Sequence, residues 1–95
     1  MEEWKKIDGF PHYEVSDMGN IKSLYSGKIL KPSLHWGGYL MVNLSENGKI
    51  KTKLVHRLVA EAFVENPQGK PSVDHINMNK QDNRAVNLRW QTQKE

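Results

Sequence analysis

Ser72-Val73-Asp74-His75-Ile76-Asn77-Met78-Asn79-Lys80-Gln81-Asp82-Asn83-Arg84-Ala85-Val86-Asn87-Leu88-Arg89-Trp90 is the stretch that decides how this chain is read. Asp74 and His75 sit between Val73 and Ile76, which marks a short buried strand. A polar, asparagine-rich loop follows, and Leu88-Arg89-Trp90 is a second strand-like piece. A carboxylate beside an imidazole can hold a hard divalent cation and take a proton from water. Asparagine side chains can orient the imidazole or brace the loop through bonds to backbone amides. Adjacent side chains in a regular strand point to opposite faces. A bulge or strong twist is therefore expected at Asp74-His75 if both residues serve one site.

Upstream, Arg57 to Phe63 predicts a short helix. Val55, Val59 and Phe63 recur at four-residue steps, as do Leu58 and Ala62, and this double stripe is core. Asn66-Pro67 and Gln68-Gly69 stop it. His56 beside that stripe reads as a structural histidine. Further back, Tyr39 to Leu44 alternates, with Leu40, Val42 and Leu44 on one face. Asn47-Gly48 is a hairpin turn, and Ile50 to Val55 is the returning strand, with Lys51 and Lys53 together on one face. Those lysines read either as a solvated face that discourages edge pairing or as a basic ribbon against phosphates, with Lys22, Lys28 and Lys31 as neighbours. Ile21–Leu24 and Lys28–Leu30 are short strands around Ser26-Gly27, and Asp17-Met18-Gly19-Asn20 is a turn. Trp4 to Tyr13 is expected to be irregular because Gly9 and Pro11 interrupt it, with Trp4, Ile7, Phe10 and Tyr13 as core anchors.

Composition limits the classes. The 95 residues are enough for one domain or one core with an appended sheet. Cysteine is absent, which removes disulfides and thiolate zinc sites. No apolar run is long enough for a signal peptide or a membrane span. The net charge of +3 and pI near 9.2 permit a nucleic-acid partner without requiring one.

The opening stretch resembles the HNH endonuclease signature in the form carried by phage and intron homing nucleases. Asp74-His75-Ile76, Asn79-Lys80, Asp82-Asn83 and Asn87-Leu88-Arg89-Trp90 carry the resemblance. Val55-His56-Arg57-Leu58-Val59-Ala60 with Ala62-Phe63 resembles the segment that precedes that signature. Trp4, Ile7-Asp8-Gly9, Tyr13-Glu14-Val15-Ser16 and Gly19-Asn20-Ile21-Lys22-Ser23 resemble a nuclease-associated module often found at the start of such proteins. The resemblance covers nearly the whole chain and implies an α+β fold. A small antiparallel sheet would be followed by a short helix and an incomplete ββα-metal finger. The N-terminal module would occupy residues 1–50 and the HNH region 51–95, packed as one unit.

The resemblance also implies metal-dependent hydrolysis of a DNA phosphodiester, leaving a 5′ phosphate. His75 is the implied general base and Asp74 a ligand to a divalent cation, Mg²⁺ in the first place and Mn²⁺ as the alternative. Asn87 is the middle residue of the signature, holding the loop and helping to orient His75. Asn79 and Asn83 are loop residues, with Asn83 capping a turn. Lys51, Lys53, Arg57, Lys80, Arg84 and Arg89 are the implied DNA contacts. The setting implied is the cytoplasm of a bacterial or phage-infected cell, with no membrane.

Thr92-Gln93-Lys94-Glu95 has the form of a capping box and announces a further helix. In the resembling nucleases that helix carries another metal ligand, and a DNA-reading segment often follows. The expectation is that both are largely missing here. A second reading is therefore a non-catalytic DNA-binding or regulatory module on the same scaffold. A third is a protein-interaction domain with no nucleic acid, which a steep salt dependence of DNA affinity would exclude.

Overall fold

The computed structural model describes residues 1–92. Three small antiparallel sheets surround one helix. The first sheet holds β1 (Trp4–Ile7), β2 (Phe10–Ser16) and β3 (Ile21–Ser23), in that order. The second holds β4 (Ser33–Leu34), β5 (Leu40–Glu46) and β6 (Lys49–Leu54). The helix α1 (Val55–Phe63) comes next, and β7 (Ser72–His75) and β8 (Leu88–Gln91) form the third sheet. A single 3₁₀ turn at Ala85–Asn87 leads into β8. Residues 93–95 lie outside the described residues, and most of the capping box falls there.

The hairpin at Asn47-Gly48 forms as the sequence predicts. Both residues take positive φ, 53° and 76°, which a two-residue turn matched to strand twist requires. The N-terminal arm is a correction. Trp4 to Tyr13 is not irregular: Asp8-Gly9 closes a second tight hairpin, with Ile7 opposite Phe10 and Gly9 at φ 82°. Pro11 is tolerated because the β1–β2 register shifts beside Ile7, so a residue without an N–H interrupts no regular ladder. Of the expected anchors, Ile7, Phe10 and Tyr13 are buried, while Trp4 is half-buried beneath the Lys22 amine. Lys28–Leu30 is not a strand but a single bridge, Lys22 to Ile29.

Strand β6 runs into α1 with no intervening loop, so Val55 opens the helix instead of ending the strand. Packing decides this boundary. As a helical residue Val55 joins the Val59 stripe, and both are essentially inaccessible. One hydrophobic cluster then joins Ile7, Phe10, Tyr13, Val15 and Ile21 to Val42 and Leu44, to Val55, Leu58, Val59 and Ala60, and to Leu88. Both halves of the chain share this core. Lys51 and Lys53 lie opposite Leu44 and Val42 on edge strand β6, on the same face as those core residues, with Lys51 exposed and Lys53 half-buried. Trp90 ties the last hairpin to the helix end by donating from Nε1 to the Val64 carbonyl at 3.0 Å.

No helix among the described residues is long and apolar enough to cross a membrane.

Candidate functional site

The site forms where the β7–β8 hairpin meets the start of α1 and the loop before β5. The hairpin pairs in continuous register, with Asp74 opposite Arg89 and His75 opposite Leu88. The bulge expected at Asp74-His75 is absent. The two side chains therefore leave the strand on opposite faces, as regular β geometry demands. Asp74 stays partly accessible, and its Oδ2 accepts from Arg89 Nε at 3.0 Å with Nη2 also at 3.0 Å. His75 is buried, with 5% of its surface exposed.

His75 is held at one ring nitrogen. Its Nε2 lies 2.7 Å from the Oδ1 of Asn83, itself buried. Among the described residues its Nδ1 takes no hydrogen bond. The ring is walled by His56, with centroids 5.0 Å apart, and by Tyr39 at 6.0 Å. His56 is buried and stacks on Tyr39 at 4.9 Å. Burial, then the neighbouring His75 and Arg57, push its imidazole down to about 4. It is therefore a neutral ring at ordinary pH, in keeping with a structural role.

Asn87 makes no hydrogen bond to His75 among the described residues and bonds within the loop instead. Its Oδ1 accepts from the Asn77 N–H at 3.0 Å, and its Nδ2 donates to Asn77 Oδ1 and to the Asp82 carbonyl, each at 2.9 Å. Its own carbonyl accepts from the Ile76 N–H. Asn87 thus closes the loop on itself, and the bond to the histidine comes from Asn83, four positions earlier. The turn-capping role expected of Asn83 is taken by its neighbours. Asn77 Oδ1 accepts from the Asn79 N–H, and Asn79 Oδ1 accepts from the Gln81 N–H. Asp82 is bound by Arg84 through both carboxylate oxygens, at 2.8 and 2.7 Å, and by Asn77. Arg84, then Asn77, hold its carboxyl well below the usual carboxylate range.

Most of the expected phosphate contacts are engaged within the chain. Arg89 pairs with Asp74 and Arg84 with Asp82. Arg57 donates to the Pro71 carbonyl at 2.8 Å and lies over Trp90. Lys80 donates to the Gly37 carbonyl at 2.9 Å and sits above Tyr39, while Lys53 sits above Phe10. Lys51 and Lys53 make no side-chain ion pair or hydrogen bond among the described residues; Lys51 is exposed and Lys53 half-buried. The engaged arginines keep roughly half their side-chain surface in water, 40% for Arg57, 48% for Arg84 and 62% for Arg89.

Two residues of the site escaped the sequence reading. Tyr39 was seen only as one position in an alternating strand. Gly19 reads in the sequence as a turn residue of the N-terminal module, yet the turn lies against Asn83. Nothing local signals either contact.

Asp74 offers the hard oxygen donor that a divalent cation takes. The described residues hold no group of three His, Cys, Asp or Glu able to bind a metal ion. Asp74 therefore fits as one ligand among several and does not make a metal site with its described neighbours.

A hairpin bearing adjacent Asp and His and closed by an asparagine loop is the two-stranded part that the resemblance to the HNH nucleases implies. Residues 53–95 match the HNH endonuclease family and residues 2–45 match the NUMOD4 motif. The chain belongs to the HNH endonuclease family, in its phage homing branch. It is 47% identical over 93 residues to DNA endonuclease I-HmuI of Bacillus phage SP01, spanning 97% of this chain and 53% of that protein. It is 35% identical over 82 residues to H-N-H endonuclease F-TflII of Escherichia phage T5, spanning 84% of this chain and 42% of that protein. A solved structure described as DNA binding and cleavage by the HNH homing endonuclease I-HmuI superposes with a TM-score of 0.89, over 97% of this chain and 53% of that one. The α+β fold with small antiparallel sheets and one helix is the I-HmuI fold. The chain thus spans about half the length of that relative. HNH endonucleases generally depend on a divalent metal.

Proposed function

We propose that this chain is the nuclease portion of an HNH homing endonuclease and hydrolyses a phosphodiester in DNA. The observation that carries the reading is His75: a buried imidazole, fixed at Nε2 and walled by two rings, with Nδ1 free of any described partner. Nδ1 is the base that takes the proton from the water attacking phosphorus. Burial and the Asn83 bond hold the ring in one orientation, so little reorganisation precedes proton transfer. Asn87 keeps the loop after β7 closed, and with it the end of the strand that carries His75.

Asp74, on the face of β7 opposite His75, would be one protein ligand among several for the divalent cation, with Mg²⁺ first and Mn²⁺ as substitute. When bound, the ion neutralises charge that develops on the phosphate and the departing oxygen. Lys51, Lys53, Arg57, Lys80, Arg84 and Arg89 are the proposed phosphate contacts. Lys51 has no side-chain partner among the described residues, Lys53 rests on the Phe10 ring, and the others are preoriented by internal hydrogen bonds or ion pairs. The two motifs divide near residue 50 and act as one unit. The cytoplasm of a bacterial or phage-infected cell is the proposed setting.

The test is nicking of supercoiled plasmid with Mg²⁺ or Mn²⁺, comparing the chain with His75→Ala and with an EDTA blank. Metal-dependent nicking that drops about 10²–10⁴-fold in the variant is expected for loss of a general base. Equal nicking by both proteins would remove His75 from the base role. DNA binding with no nicking by either would favour the non-catalytic scaffold, the reading to which the absence of a three-donor cluster among the described residues lends weight.

A further inference from the structure

We infer that Asn83 is the positioning residue for His75, selecting which ring nitrogen carries the proton, and that the Gly19 turn of the N-terminal motif holds Asn83 in place. The catalytic consequence rests on the nuclease reading above; the hydrogen bond and its support stand without it.

A neutral imidazole has one N–H and one lone pair, and its neighbours select the arrangement. Asn83 Oδ1 accepts only, and it lies 2.7 Å from His75 Nε2 with both side chains about 5% exposed. The hydrogen therefore sits on Nε2 and the lone pair on Nδ1. The same amide leaves its Nδ2 buried without a partner among the described residues. A leucine of similar volume would remove that unpaired donor but leave the buried His75 Nε2–H without an acceptor. The amide thus acts here through its oxygen, at the cost of one unpaired N–H among the described residues.

What keeps Asn83 still comes from the other end of the chain. The turn after β2 is shaped by the Ser16 hydroxyl, which accepts from the N–H groups of Met18 at 3.2 Å and Asn20 at 3.1 Å. Within it Gly19 adopts φ 89°, and a Cβ there would stand 3.1 Å from the Asn83 carbonyl carbon, carbonyl oxygen and Cβ. Glycine is needed on both counts, for its positive φ and for the close approach. Alongside, the Ala85 N–H donates to the Asp17 carbonyl at 2.7 Å. The turn is thus clamped against residues 83–85, and the N-terminal motif forms the back wall of the histidine site.

The experiment is a long-range ¹H–¹⁵N correlation spectrum of histidine rings in the full chain at mildly alkaline pH, with His75 assigned by its loss in His75→Gln. The unaltered chain is expected to show a single Nε2–H tautomer for His75. Asn83→Leu should give a mixture of tautomers, and Asn83→Asp, which keeps an acceptor, should restore Nε2–H. Gly19→Ala should move His75 as Asn83→Leu does while backbone signals far from the site stay put. In plasmid nicking, Asn83→Leu and Gly19→Ala should lower kcat about 10- to 100-fold, the range for an outer-shell orienting group, with KM unchanged. An Nδ1–H tautomer in the unaltered chain, or a tautomer that ignores Asn83→Leu, would overturn the inference. If the tautomers respond as stated and no protein nicks DNA, the Asn83 assignment stands and the nuclease reading falls.

Discussion

Replacing Asn87 by alanine separates holding the loop from aiming the histidine. The side chain makes three hydrogen bonds, two to Asn77 and one to the Asp82 carbonyl. Each such bond contributes about 1 kcal/mol net when its partners can find water afterwards. Asn77 is exposed, so its freed groups are resolvated, and only the carbonyl of the partly buried Asp82 adds a small orphan penalty. The expected loss is about 2–3 kcal/mol, a large share of the roughly 5–15 kcal/mol that a domain commands. Asn87→Asp should lose a similar amount: it keeps the acceptor for the Asn77 N–H, loses both donors and sets a carboxylate against Asn77 Oδ1. Urea denaturation reads the effect as a lower midpoint at unchanged slope. Hydrogen exchange at the Asn77 amide should quicken in both variants, while the His75 ring keeps its tautomer. A loss under about 0.5 kcal/mol would refute this account of the loop. So would a variant whose His75 ring was released while its stability held.

Two more outcomes follow from burial. Leu44 is fully buried between the sheets and the helix, so Leu44→Ala should cost about 3 kcal/mol and Leu44→Met under about 1.5 kcal/mol in thermal unfolding; equal costs would mean that the site collapses around the cavity. His56 titrates near 4 when folded, below the roughly 6.5 of an unfolded histidine, so the unfolded chain takes up its proton first. Its contribution is full above about pH 6.5 and lost as pH falls toward 4, by about 2 kcal/mol once screening is allowed for. His56→Phe, which keeps the stack on Tyr39, should flatten that slope in a urea series, and an unchanged slope would assign the pH dependence to other groups.

How much of this was legible depended on how local each cause was. The Asn47-Gly48 hairpin and the Val59 stripe could be read because turn chemistry and helical period act within a few residues. Asp8-Gly9 carried the same hairpin signal, but Pro11 obscured it, since the bulge that accommodates proline is a property of the pairing. The resemblance located Asp74 and His75 on one strand, and the fold put them there. Which asparagine meets His75 could not be read. Asn83 and Asn87 are equivalent in type and sit in one loop, and the choice is made by a glycine turn far away in sequence. The engagement of Arg89 by Asp74 likewise depends on a register that two short strands do not announce.

The contact between Gly19 and Asn83 also has a consequence in time. During synthesis the first residue emerges 64 positions ahead of the second. At roughly 5–20 residues per second that is a delay of about 3–13 s. Through that interval the N-terminal sheets exist without Leu88 to complete their core, and the turn waits for the loop it will brace. The histidine site is thus assembled only after the β7–β8 hairpin has emerged and docked, well after the turn that braces it.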